Sequence, residues 1–217
     1  MQDIIYNVAV MGPGFLMAIV FHEWAHAYVA LRFGDDTAKV NGRLNLNPTS
    51  HIDLLGTVIF PAFCALMGGL MFGWAKPVPI DPRRFKSYRK GVFWVSFAGP
   101  LMNMLLVVLC SFIMVLVVLK APETLSVKQA LVQMLRHAVE INLVLAVFNL
   151  IPFPPLDGSR MVSSFLSYEG LRKYEELQRF GFVFLLLLWF TPAFQYLLAP
   201  AKMASQTIIY AFVRMLA

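Results

Sequence analysis

Charge is what this chain has least of: 14% of its 217 residues are Asp, Glu, Lys or Arg, against 59% hydrophobic. A soluble domain carries about a quarter charged residues and about half apolar ones. Cysteine is nearly absent as well. Cys64 and Cys110 both sit in apolar runs and read as small buried hydrophobes, which excludes a disulfide-stapled secreted module. No polar stretch is long enough for an inserted soluble module, and there is no internal repeat or low-complexity tract. Acidic residues are the scarcer sign, 12 against 18 basic, for a net charge of +6. The basic residues are spread over short loops, which fits anchoring at a membrane face and not nucleic acid. A soluble enzyme and a disordered chain are excluded. What remains is a single membrane-embedded domain over residues 1–217, all-α and polytopic.

The apolar runs set the expected elements. The first, 4–33, is too long for a signal-peptide core and has no basic segment before it, so it reads as a retained helix. The second, 54–72, is interrupted by Gly56, Pro61, Gly68 and Gly69 and is either spanning or re-entrant. Helices are expected over 92–119, 126–151 and 180–199, with a C-terminal helix over about 203–216. That makes about five to six transmembrane helices with a re-entrant element. Ser126-Val127-Lys128-Gln129 has the spacing of a capping box. Residues 43–47 alternate polar and apolar side chains, which predicts a short β segment. Lys76-Pro77-Val78-Pro79 is expected to be extended. Pro152, Pro154 and Pro155 break the chain before Leu156-Asp157-Gly158. Trp74, Trp94 and Trp189 read as interface anchors.

The chemistry is concentrated in His22-Glu23-Trp24-Ala25-His26, an H-E-x-x-H motif inside an apolar run. Spacing of i, i+4 puts both imidazoles on one helix face, one turn apart, where they can bind zinc. Glu23 lies beside the first ligand, out of reach as a third, and can take a proton from water. A chance match occurs in roughly one chain of this length in 200. Ionisable residues within a spanning helix are costly and mark function, which favours the metal. A catalytic zinc site needs a third protein ligand. Asp157, His51, His137 and Glu140 are the candidates. Asp157 follows a proline break, where irregular backbone can line a wet cavity, but Asp-Gly is also a common turn pair.

These residues resemble the site-2 protease family of intramembrane zinc metalloproteases, peptidase family M50. Phe21 precedes the H-E-x-x-H motif as an apolar residue does in that family. Asn149, Pro152, Pro154, Asp157 and Gly158 match its second motif, N-x-x-P-x-P-x-x-D-G. Ala98-Gly99-Pro100 with Asn103 is similar to an element of its intervening helix. The stretches at 42–48 and 72–79 look like a compact branch without a PDZ or CBS domain. The match covers about 21–158 and departs from many relatives in having Ala25 where they have glycine. The resemblance implies one Zn2+ per chain, held by His22, His26 and Asp157, with Glu23 as catalytic base. It implies hydrolysis of peptide bonds in membrane proteins that have a transmembrane segment.

Topology can be tested within the sequence. If every apolar run crossed, His26 and Asp157 would end on opposite faces and no zinc site could form. If 54–72 is re-entrant, they meet on one face. Thirteen basic loop residues then share that face, with two on the other through the fourth helix. The positive-inside rule makes the first face cytoplasmic, with the N-terminus outside a multi-pass cell-membrane protein.

Asn103 and Asn149 are candidates for contact with substrate backbone or for ordering the site, against an ordinary interhelical hydrogen bond. The 43–47 strand is a candidate edge for an unwound substrate. Arg136 and Glu140, at i, i+4, are expected to pair, against the alternative of a wet face admitting water or substrate. A zinc-binding membrane scaffold or sensor without proteolysis is the alternative function, and Glu23 discriminates: a scaffold has no use for a base beside the metal.

Overall fold

The computed structural model describes residues 2–66 and 73–217, and among these every regular element is helical. Helix α1 spans Gln2–Phe33. Pro13 lies inside it, tolerable in an apolar helix because neighbouring groups take over the freed backbone. Beside it Gly14 sits so close to α6 (Lys128–Asn149) that a Cβ would be 3.0 Å from Ala138, so the small pair lets the helices cross closely. α1 ends in a tight turn at Gly34, whose φ of +107° suits glycine.

Two single-turn helices follow, α2 (Thr37–Val40) and α3 (Pro48–His51). The predicted strand at 43–47 is not formed. Asn45 Nδ2 donates to Gly42 O at 2.5 Å, and Asn45 Oδ1 accepts from Asn47 N at 2.8 Å. Asn47 Oδ1 in turn accepts from Thr49 N at 3.1 Å and caps α3. These local bonds satisfy the backbone in turns, where a strand would need a partner.

A π-helical turn over Leu54–Ile59 leads into α4 (Phe60–Leu66); residues 67–72 of the interrupted apolar run lie outside the described residues. The two ends of that run sit together. Trp74 N donates to Gly56 O at 3.0 Å, Thr57 Oγ1 to Trp74 O at 2.8 Å, and Lys76 N to His51 O at 2.9 Å.

Helix α5 spans Tyr88–Lys120 and packs with α1 and α6 as the central bundle. α6 starts two residues later than expected and without the capping box: Val127 is its N-cap and no side chain caps it. Lys128 folds back instead, its ammonium 2.8 Å from Ala121 O and 2.5 Å from Glu123. Phe15, Ala18, Ile19 and Val20 of α1 bury against Ile141 and Leu145 of α6, and Val107, Cys110 and Met114 of α5 against Leu135, Ala138 and Val139.

α7 (Asp157–Ser163) and α8 (Tyr168–Glu175) precede α9 (Gly181–Phe190) and α10 (Ala193–Leu216). The last break falls at Thr191-Pro192, not near residue 200 as the apolar pattern suggested. Pro192 stands before the first turn of α10, where proline costs nothing, while Pro200 is accommodated within it. Phe148, Leu156, Phe194 and Leu198 pack as one cluster that ties α7 and α10 to the end of α6. Among the described residues three helices are long and apolar enough to cross a membrane: Tyr6–Phe33, Tyr88–Lys120 and Lys128–Asn149. Trp74 and Trp94 are exposed, as interface anchors would be; the Trp189 side chain lies outside those described.

Candidate metal centre

The helix repeat brings His22 and His26 onto one face of α1, and both are buried. His26 Nδ1 is 2.6 Å from the Val95 carbonyl of α5. A carbonyl only accepts, so this nitrogen carries the proton and Nε2 carries the lone pair. His22 Nδ1 is 2.6 Å from Asn103 Oδ1. Asn103 spends its Nδ2 on Ala18 O at 3.1 Å and Asn142 Oδ1 at 2.8 Å, so it faces His22 with its oxygen. Asn142 Nδ2 closes the chain on Ala138 O at 2.8 Å. Both histidines are therefore fixed in the same tautomer, with Nε2 bare.

The bare nitrogens point at one place. They lie 3.0 Å apart, and Asp157 Oδ2 is 3.2 Å from His22 Nε2 and 3.3 Å from His26 Nε2. Two imidazole nitrogens and a carboxylate oxygen this close need a proton or a metal ion among them. Tetrahedral zinc with ligand bonds of ~2.0–2.1 Å requires ligand atoms about 3.3 Å apart. The donor set fits that metal in chemistry and spacing, and these three residues form the metal-capable group among the described residues.

Two glycines make the convergence possible. A Cβ at Gly99 would run into the His26 and His22 rings, so α5 can approach α1 here only without one. A Cβ at Gly158 would strike the Leu150 carbonyl, so the first turn of α7 can tuck against the end of α6 and present Asp157.

The other expected residues fall elsewhere. Asn103 is fully buried behind His22, and both ends of its amide are occupied by the protein. Asn149 is half-buried and donates to Leu145 O of its own helix at 3.1 Å. His51 is fully buried, its Nε2 2.8 Å from Asn45 O, away from the triad. Glu140 pairs with His137 at 3.5 Å, not with Arg136. Glu23 is half-buried, and its Oε2 accepts from Val78 N at 2.8 Å. Neither the Val78 contact nor the Val95 carbonyl was foreseen. Both are backbone groups, which leave no side-chain signal; the Pro77 and Pro79 bracket was the trace that pointed to the first. Near that stretch, the Arg83 guanidinium holds the Asp81 carboxyl below the usual carboxylate range.

The family model Peptidase family M50 matches residues 115–188, which include Asp157. The chain is similar to "Putative zinc metalloprotease YwhC" of Bacillus subtilis, 40% identical over 89% of this chain and 86% of the relative. It is also similar to "Putative zinc metalloprotease Rip2" of Mycolicibacterium smegmatis, 29% identical over 83% of this chain and 66% of the relative. Rip2 of Mycobacterium tuberculosis is 30% identical over 82% of this chain and 66% of the relative. No solved structure matches. With the relationship to YwhC extending over most of both sequences, the chain belongs to peptidase family M50, the site-2 protease family that its paired motifs resemble.

Proposed function

We propose that His22, His26 and Asp157 are the protein ligands of one zinc ion and that Glu23 is the general base of an intramembrane endopeptidase. As a family member the chain is an intramembrane zinc metalloprotease. The observation that carries the residue assignment is the meeting of two bare Nε2 atoms and a carboxylate oxygen within 3.0–3.3 Å. A zinc ion held by these three residues would keep room for water or substrate, as catalytic sites do.

When bound, zinc supplies Lewis acidity, polarising a carbonyl and lowering the pKa of water to about 7. The chain's own residues do the rest. Asn103 and the Val95 carbonyl hold the two imidazoles in their ligating tautomer. Glu23 takes the proton of the attacking water and returns it to the leaving amine. Its Oε2 is engaged with Val78 N–H, which leaves Oε1 for water. The substrate is a membrane protein with a transmembrane segment, which must unwind locally because its carbonyls are hidden in helical hydrogen bonds.

The chain crosses the cell membrane several times, with its N-terminus outside and the site nearer the cytoplasmic face. Residues 54–72 enter and leave from that face, a reading supported by the hydrogen bonds joining Gly56 to Trp74 and His51 to Lys76. Single cysteines at Lys76 and Lys120 are then labelled from opposite faces; labelling from one face overturns this topology.

The test of the activity is Glu23→Gln. Cleavage of a model peptide with one apolar span disappears while zinc per chain is kept. Retained cleavage contradicts the base assignment.

A further inference from the structure

The stretch at 76–79 crosses α1 at the level of the site, and it is pinned along its length. Lys76 N donates to His51 O at 2.9 Å. Arg43 Nη2 reaches Lys76 O at 2.8 Å and Pro77 O at 3.3 Å. Val78 N donates to Glu23 Oε2 at 2.8 Å. The Val78 side chain is buried with Ala27 of α1 and Ala38. Just beyond, Asp81 N donates to the buried Asp35 Oδ2 at 2.7 Å.

The sequence makes this donor unusual. Pro77 and Pro79 have no N–H, so Val78 carries the sole backbone donor of the three residues, and that donor is aimed at Glu23. Lys76 and Val78 each precede a proline and are thereby restricted to extended backbone. The strap is stiff before Glu23 meets it. A glutamate on a helix otherwise has three rotatable bonds, and a base free to turn loses rate through misorientation.

We propose that the Pro77-Val78-Pro79 strap, clamped by Arg43, is a positioning element that fixes the Glu23 carboxylate through the Val78 N–H. One oxygen is held by the strap and the other is left aimed at the reacting water. This rests on Glu23 being the base. Arg43 and Val78 act only through Glu23 and touch neither metal nor substrate in this role.

The contact itself is tested without any activity, by hydrogen–deuterium exchange of the full chain in detergent. Val78 is the one exchanging amide between the two prolines, so its signal is separable. Its protection falls by about tenfold or more in Glu23→Ala, the loss expected for a hydrogen bond to a charged acceptor. Equal protection in wild type and Glu23→Ala overturns the proposal. Its consequence is tested by kinetics on a peptide with one apolar span of about 20 residues. Val78→Pro, which removes the N–H, loses about 10- to 100-fold more kcat than Val78→Ala, which keeps it. KM changes less than kcat, and zinc per chain is the same in both. Arg43→Met, which leaves the strap's sequence intact, gives a smaller kcat loss of the same kind. Equal losses in the two Val78 variants would mean that packing matters and the N–H does not. A rise in KM at constant kcat would make Val78 N–H a substrate donor. Either result overturns the positioning role. Failure of the base reading is separate: it appears as retained cleavage in Glu23→Gln, whatever Val78 does.

Discussion

Two faces of α6, a helix long and apolar enough to cross a membrane, carry polar side chains, and they are built in opposite ways. On one face Asn142 is fully buried, and both ends of its amide are spoken for, by Asn103 and by Ala138 O. Through Asn103 it reaches His22, so a chain of hydrogen bonds ends at the candidate metal centre. On the other face Arg136 and Glu140 are exposed and line a cavity of about 890 Å³ with Thr191, Lys202 and Gln206. Glu140 has only a long contact to His137, and Arg136 and Lys202 have no hydrogen-bond or ion-pair partner among the described residues. Polar groups within a bilayer are costly on either face. The first face meets that cost with a closed network that orients a ligand. The second leaves long side chains around open space. Rigidity here belongs to the chemistry, and the contrast predicts where substitutions are felt.

The largest effect is expected at the end of the ordered side. Glu23→Gln lowers kcat by about 10²–10⁴-fold, the usual contribution of a general base, with zinc retained; single-turnover cleavage measures it. Next is Gly99→Ala, whose new Cβ runs into both imidazoles. It weakens zinc binding by more than about 100-fold, above the range of an outer-shell change, as read by chelator competition. Asn103→Leu leaves the helix intact but removes the partner of His22, and costs about 10–100-fold in zinc affinity. The open face responds least. Arg136→Gln and Lys202→Gln change unfolding stability by no more than about 0.5 kcal/mol and leave zinc affinity unaltered. If Arg136→Gln cost as much zinc affinity as Asn103→Leu, the contrast between the faces would be gone.

The sequence carried the site further than it carried the backbone around it. The convergence of His22 and His26 was legible because the helix repeat and the ligand spacing coincide. Asp157 was legible as one of several candidates, since nothing in a one-dimensional pattern says which distant acid comes home. Gly158 explains why it does: only a residue without a Cβ lets α7 start against the Leu150 carbonyl. Asn103 was recognised as polar in an apolar helix, but its partners, His22, Ala18 O and Asn142, were not, because helix periodicity does not say which neighbour a face meets. The strand at 43–47 failed for a local reason. Asn45 and Asn47 satisfy nearby backbone with their own side chains, and a five-residue alternation is too weak to compete. The capping box failed because Ser126 stays in the preceding turn while Lys128 finds Ala121 O and Glu123. At the C-terminus the expected helix ends at 199 and 203 missed the break, which falls at Pro192, standing before a first turn.

The claim underlying all of this is that two segments far apart in the chain assemble one zinc site. It is tested most directly by zinc per chain in detergent-purified protein, measured by elemental mass spectrometry for wild type and Asp157→Ala. The account predicts about one zinc in the wild type, as the three-ligand site requires, and substantial loss in the variant. Folded wild type that takes up no zinc when supplied with it, or an Asp157→Ala variant that keeps its full complement, would contradict it.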